Sequence, residues 1–158
     1  MDSDGNGVPD YVDEVGVIAD SAHHVLVDVM GYEEEPYDGE GGYDIYIMDL
    51  NPRQYGYNFP EGNGISYIKI DKDYVGYTSP TPPIKLMHVA LSHFYFHAIQ
   101  IGYKPISSEN KYFYEMTSMW FEDVLVPDGN DYLNVWVDDL LDDPTADFDN
   151  TGMGYELA

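Results

Sequence analysis

Apolar residues early in the chain recur at Val12, Val15, Ile18, Ala19, Ala22, Val25, Leu26 and Val29, three or four positions apart. That period places them on one face of a helix from Tyr11 to about Met30, stopped by Gly31. Residues 32–43 form an acidic loop with Gly and Pro. The period then shortens to two. Tyr43-Asp44-Ile45-Tyr46-Ile47-Met48-Asp49-Leu50 and Ile65-Ser66-Tyr67-Ile68-Lys69-Ile70-Asp71 both alternate and are expected as strands, with Ile45 and Ile47 on one face. Between them, residues 51–64 carry Pro52, Gly56, Pro60, Gly62 and Gly64 and read as a loop. Asp71 and Asp73 either cap the second strand or ligate a cation, and both readings stay open.

Ser79-Pro80-Thr81-Pro82-Pro83 leads into a helix, because proline's fixed φ suits a first turn. This helix runs from about Ile84 to Ile101 and closes at Gly102. After a loop at 104–110, another helix spans Tyr112 to about Val126 and ends at Pro127. The turn Asp128-Gly129-Asn130-Asp131 precedes Tyr132 to Leu141, helical or irregular; the acidic tail from Asp142 to Ala158 takes no assignment, and no internal repeat is found. The expected fold class is α+β: a small mixed or antiparallel sheet, a backing helix near residues 11–30, and the second helix beneath the sheet. The strand at Ile65–Asp71 is the candidate edge for an extended peptide to join.

A chain of 158 residues suits one domain with a true core. Its 15% aromatic content, including 16 tyrosines, excludes a disordered acidic tail. Thirty acidic residues against six basic ones give a net charge of −24. Such a polyanion repels nucleic acid and anionic lipid, so neither is expected as a partner. Most of this charge is ordinary solvated surface, but the excess also suits bound cations or a high-salt habitat. Without cysteine, disulfides and thiolate metal sites are impossible. No apolar run nears the roughly 18 residues that would span a membrane. Met1-Asp2-Ser3-Asp4 is no signal peptide, so an exported protein would make this chain an excised piece with an added Met1.

Residues 1–13 are set apart as a candidate calcium loop, with residues 14–158 as the main domain. Against the twelve-residue calcium loop, Asp2, Asp4 and Asn6 fall at positions 1, 3 and 5, and Gly7 at the sharp turn. Val8 offers its carbonyl at position 7, with Asp10 at position 9 and Asp13 at position 12. Hard calcium takes six to eight oxygens in flexible geometry, which this run supplies. Asp13, shorter than the usual Glu, resembles the loops of dockerins and thrombospondin-type repeats. Modest affinity would suit extracellular calcium. The alternative is an acidic turn capping a helix.

His93 and His97 stand four apart on the second helix, so both imidazoles can reach one metal ion. The zinc-peptidase motif His-Glu-x-x-His has this spacing, its glutamate acting as general base. Here Phe94 holds the glutamate's position. Glu115, eighteen residues after His97, is the best candidate third ligand. Glu122, two turns further on, is the second candidate or a partner that orients an imidazole. The alternative is a pair of satisfied core histidines. His88 lies off the shared face. His23 and His24 are adjacent, about 100° apart on their helix, and read as surface or packing residues.

The blocks Asp4-Gly5-Asn6-Gly7-Val8-Pro9-Asp10-Tyr11-Val12, Tyr43-Asp44-Ile45-Tyr46-Ile47, Ile65-Ser66-Tyr67-Ile68, His93 with Phe96-His97-Ala98-Ile99-Gln100, and Glu115 through Asp123 resemble a family of secreted bacterial and archaeal metallopeptidases. These are zincins of the glutamate-ligand type, whose histidine block reads His-Glu-Phe-Phe-His-Ala-Ile-Gln. The blocks keep the family's order over residues 2 to about 135. The resemblance implies a zincin fold with zinc held by His93, His97 and Glu115, a secreted setting, and a family domain that continues beyond residue 158. Phe94 departs from the pattern at the catalytic letter. Losing a positioned acid–base group costs on the order of 10²- to 10⁴-fold in rate. The expectation is therefore a metallopeptidase-like pseudoenzyme that binds zinc and calcium and engages peptide or protein with little hydrolysis. Two alternatives remain: an active peptidase with an unconventional base, and a calcium-stabilised extracellular structural or adhesion module.

Overall fold

The computed structural model describes residues 1–37, 39, 41–51 and 54–130; the segments at 132–141 and 142–158 lie outside the described residues. The fold is mixed α+β. Helix α1 spans Asp10–His23 and continues as a π-helical stretch over His24–Val29. The expected helix is thus present, but its last turns widen, with Met30 N donating to Val25 O at 2.9 Å. Gly31, at φ +81°, ends it in the left-handed conformation that glycine adopts without strain.

Strands β1 (Ile45–Met48), β2 (Gly56–Gly62) and β3 (Ile65–Asp71) form one sheet in the order β1-β3-β2. β1 runs parallel to β3 and β2 antiparallel, so the sheet is mixed. Two expectations are corrected. The 51–64 segment is not all loop, since aromatic alternation at Tyr55, Tyr57 and Phe59 makes a strand despite Pro60 and Gly62. Those two lie at the irregular end of an edge strand, where a missing ladder donor is tolerated. Asn63 and Gly64, at φ 55° and 81°, supply the paired positive φ values of a tight hairpin turn. With β2 in place, β3 becomes the central strand, so Ile65–Asp71 is not an edge that a peptide could extend.

Asp71 acts as a cap. Its carboxylate accepts from the backbone N–H of Leu50 (2.8 Å), Asp73 (3.0 Å) and Tyr74 (2.7 Å). Asp73 likewise accepts from Val75 N at 3.0 Å.

Helix α2 (Pro83–Tyr103) is the centre of the molecule, and α3 is Lys111–Leu125. The sheet packs on one side of α2, with α1 and α3 on its others. From Val89 to Ile101 every residue of α2 is buried. A helix buried all round must be apolar or carry polar groups that are paired; His93 and His97 sit in that stretch. Ile68, Ile70, Leu86, Leu91, Ile99 and Phe121 complete the core around them.

Phe94 belongs to this core and points at the sheet. A Cβ at Gly56 would lie 2.6 Å from Phe94 Cε2 and 2.6 Å from the Lys69 carbonyl oxygen. Gly56 is therefore a packing requirement of the Phe94 ring. Gly56→Ala is expected to destabilise the fold by about 1–3 kcal/mol, the usual cost of overpacking. Urea unfolding checks this; an unchanged midpoint would contradict the contact.

Candidate metal centre

Helix α2 presents His93 and His97 one turn apart, their rings 4.6 Å between centroids. Helix α3 crosses beside them and supplies Glu115 and Glu122, two turns apart on its buried face. Glu115 Oε2 lies 3.2 Å from His93 Nε2 and 3.2 Å from His97 Nε2. All three residues are 5% exposed or less. Their ligand atoms fall within 4.8 Å of one another, a grouping able to hold a metal ion, and it is the one such group among the described residues.

The outer nitrogens are anchored too. His93 Nδ1 is 2.6 Å from Glu122 Oε1, and His97 Nδ1 is 2.7 Å from Gln100 Oε1. Gln100 cannot reverse its amide, because its Nε2 donates to the Tyr114 carbonyl (3.2 Å) and to Thr117 Oγ1 (2.8 Å). So Gln100 offers His97 only an acceptor. If Nδ1 of His97 carries the proton, its bare Nε2 faces a carboxylate oxygen. If Nε2 carries it, the bare Nδ1 faces the amide oxygen. A neutral His97 meets one lone pair with another either way, although Ser118 Oγ, 3.3 Å from Nδ1, offers a partial alternative. A cation between the two Nε2 atoms and Glu115 removes the conflict, with both imidazoles donating outward from Nδ1. The donor set fits a metal ion on this ground.

Burial alone would depress the pKa of both imidazoles. At His93, hydrogen bonds to Glu115 and Glu122 overcome burial and raise it to about 9. At His97, burial and the charge of His93 prevail and hold it below the usual value. Glu115 is pushed up by burial, but the two imidazoles outweigh that and lower it to about 2. Without metal, His93 is thus held toward its protonated form between Glu115 and Glu122, and His97 toward its neutral form beside it.

The sequence places His93, His97 and Glu115 together, as the structure does. Of the two readings of Glu122, the structure favours the orienting partner: it faces His93 Nδ1, away from the convergence point. Gln100 and Ser118 have no role assigned from sequence; their signal is weak, a three-residue step from His97 and from Glu115 on the buried faces. His88 Nε2 pairs with Glu14 Oε1 at 2.7 Å, His23 Nδ1 with Glu35 at 3.1 Å, and His24 Nδ1 with Asp28 at 2.8 Å, all away from the centre. Phe94 stands beside the histidines, its ring 5.2 Å from that of His93 and 6.3 Å from that of His97. It carries no proton acceptor.

The N-terminal loop bends at Gly5 and Gly7, φ +75° and +91°. Asn6 Nδ2 donates to Asp4 Oδ2 and to Asp13 Oδ2, each at 3.1 Å, which gathers these three side chains. Asp2 accepts from the N–H groups of Gly5 (2.8 Å) and Gly7 (3.1 Å). Asn6 Oδ1 accepts from Val8 N at 2.7 Å, while Asp10 turns to Ser3 N and Oγ at 2.6 Å each. No helix among the described residues is long and apolar enough to cross a membrane.

Comparison with family models, with curated proteins and with solved structures finds no match to this chain.

The protonated His93 yields a stability prediction for the metal-stripped protein. Its pKa is 6.5 in the unfolded chain and about 9 in the fold. The folded state therefore binds more protons between those values, and stability falls as pH rises through that window. The contribution is full below the lower value, and the slope is at most about 1.4 kcal/mol per pH unit, one proton's worth. Urea midpoints between pH 6 and 9 in chelator should fall for the parent and flatten in His93→Asn. A parent midpoint that does not fall would contradict the assignment.

Proposed function

We propose that the chain is a metallopeptidase-like domain whose His93, His97 and Glu115 hold zinc, and which binds peptide or protein with little or no hydrolysis. The observation that carries this reading is the pair of Nε2 atoms aimed at one buried carboxylate oxygen, each ring anchored from behind by its own acceptor. Two imidazoles and a carboxylate, with no thiolate, form a donor set that suits zinc. When bound, zinc supplies Lewis acidity and lowers the pKa of a coordinated water.

The chain's own groups limit the chemistry available there. With a metal bound, Glu122 and Gln100 would accept from Nδ1–H of His93 and His97 and leave each Nε2 facing inward, and such partners typically account for 10- to 100-fold in metal affinity or activity. A hydrolase also needs an acceptor for the water's proton, and Phe94 cannot serve. Among the described residues, Glu122 is bonded to His93, and Glu35 to Tyr95 Oη and His23. Nothing in this arrangement favours a substitute base, so the active-peptidase reading has less support than the impaired one.

The resemblance to secreted zincins extends the proposal to an extracellular setting, where the residue 2–13 loop would hold calcium. Support for calcium comes from the ligand spacing and from the gathering of Asp4, Asn6 and Asp13. Millimolar calcium should raise the melting temperature, and Asp4→Ala with Asp13→Ala should abolish the rise. Identical melting curves with and without calcium would remove the loop from the proposal.

The zinc proposal is tested by elemental analysis after chelator-free purification, alongside cleavage of a quenched peptide by the parent and by Phe94→Glu. About one zinc per chain is expected, reduced at least tenfold in Glu115→Ala. Parent cleavage should be at background, with any gain confined to Phe94→Glu and abolished by chelator. Equal chelator-sensitive cleavage by both proteins would defeat the impaired-base reading; absence of zinc would defeat the metal reading.

A further inference from the structure

The groups that converge at the centre come from two helices. His93, His97 and Gln100 stand on α2, and Glu115, Ser118 and Glu122 on α3. Glu115 meets both Nε2 atoms, Glu122 meets His93 Nδ1, and Gln100 Nε2 reaches the Tyr114 carbonyl and Thr117 Oγ1. Apart from the bond between His97 and Gln100, these contacts cross from one helix to the other.

The centre is also enclosed. His93, His97 and Glu115 are 5%, 3% and 4% exposed, and Ser118 and Phe121 on the facing side of α3 are fully buried. On the sheet side Phe94, 3% exposed, stands beside both imidazoles and packs against Gly56. Catalytic zinc sites keep one position open to water or substrate, whereas structural sites are closed. A close-packed interior has few voids larger than a water molecule, so a route to these ligand atoms requires one element to move.

We propose that the site is a closed clasp between α2 and α3, which takes up and releases its ion only when α3 separates from α2. This inference rests on the reading that His93, His97 and Glu115 hold zinc. It adds that the ion ties two helices together and is not offered to a peptide or protein partner. Packing selects α3 as the moving element. Among the described elements α3 packs chiefly on α2, whereas α2 is also held by α1, β2 and β3. Local opening falls on the element with the fewest supports. The first turns of α3 carry a tie to α2 that involves no ligand: Tyr114 Oη donates to the carbonyls of Lys104 (2.9 Å) and Gln100 (3.3 Å).

The experiment follows zinc leaving the loaded full-length chain into an excess of chromogenic chelator. Release should proceed at one slow rate that stays constant over an about tenfold range of chelator concentration. Tyr114→Phe cuts the tie, and one such hydrogen bond is worth roughly 2- to 10-fold in an opening equilibrium. Release and uptake should both quicken by that factor in Tyr114→Phe, leaving Kd within about twofold of the parent. Tyr77→Phe loses hydroxyl bonds to the Asn51 and Gln54 carbonyls, away from α3, and should release zinc at the parent rate.

A release rate that climbs in proportion to chelator would overturn the clasp, because the ion would then be reached with the helices packed. An unchanged rate in Tyr114→Phe would overturn it as well. Equal acceleration by Tyr77→Phe would do the same, assigning release to unfolding of the whole domain. A chain that binds no zinc defeats the metal reading and the clasp together, whereas a zinc-bound chain that fails a rate test loses the clasp alone.

Discussion

Two imidazoles and one carboxylate meeting in the interior of a highly acidic protein dictate how α2 and α3 can pack. Isolated, each of these groups would cost several kcal/mol to bury in ionised form. With Glu122 as a second carboxylate, they hold α3 against α2 through contacts of 3.2 Å to Glu115 and 2.6 Å to Glu122 that leave little freedom in helix register. Gln100 and Tyr114 extend the same tie along the helices, with Tyr114 Oη donating to the Lys104 carbonyl at 2.9 Å. A slip of one residue in α3 would separate Glu115 from both rings and leave imidazolium and carboxylate unpaired in the core.

Phe94 links this site to the sheet. It is flanked by His93 on its own helix and seated against Gly56 at the start of β2, while Asn58 of β2 donates to the Phe94 carbonyl at 3.2 Å. The residue that follows His93 on α2 thus performs packing between the helix and the sheet. The histidines and Glu115 do not require a base there for their own geometry. The geometry of the cluster is therefore independent of proton transfer at position 94, and the proposed metal binding and the proposed lack of hydrolysis are tested separately.

Much of this is legible in the sequence because it depends on local period. The helix carrying His93 and His97, the strand Ile65–Asp71 and the helix from Tyr112 to about Val126 each follow from local sequence signals, and Glu115 follows from a short antiparallel connection. The features that escape the sequence depend on tertiary partners. β2 reads as loop because Pro60 and Gly62 outweigh its aromatic alternation, although Asn63-Gly64 is a hairpin signal. Missing that strand also misplaces β3 as an edge. The tautomer constraint on His97 needs Tyr114 and Thr117, which reach Gln100 only after α3 has docked. Asp71 takes Asp73 and Tyr74 N–H locally, but its bond to Leu50 N–H forms only when the chain after β1 is brought to it.

Zinc K-edge absorption on the purified protein reports directly on an ion held between the two Nε2 atoms and Glu115. A four-coordinate spectrum is expected, with only nitrogen and oxygen neighbours at about 2.0–2.2 Å and the multiple-scattering signature of two imidazoles, one of which disappears in His97→Ala. A spectrum without imidazole scattering, or one unchanged by His97→Ala, would mean that the two histidines and Glu115 are not a zinc site.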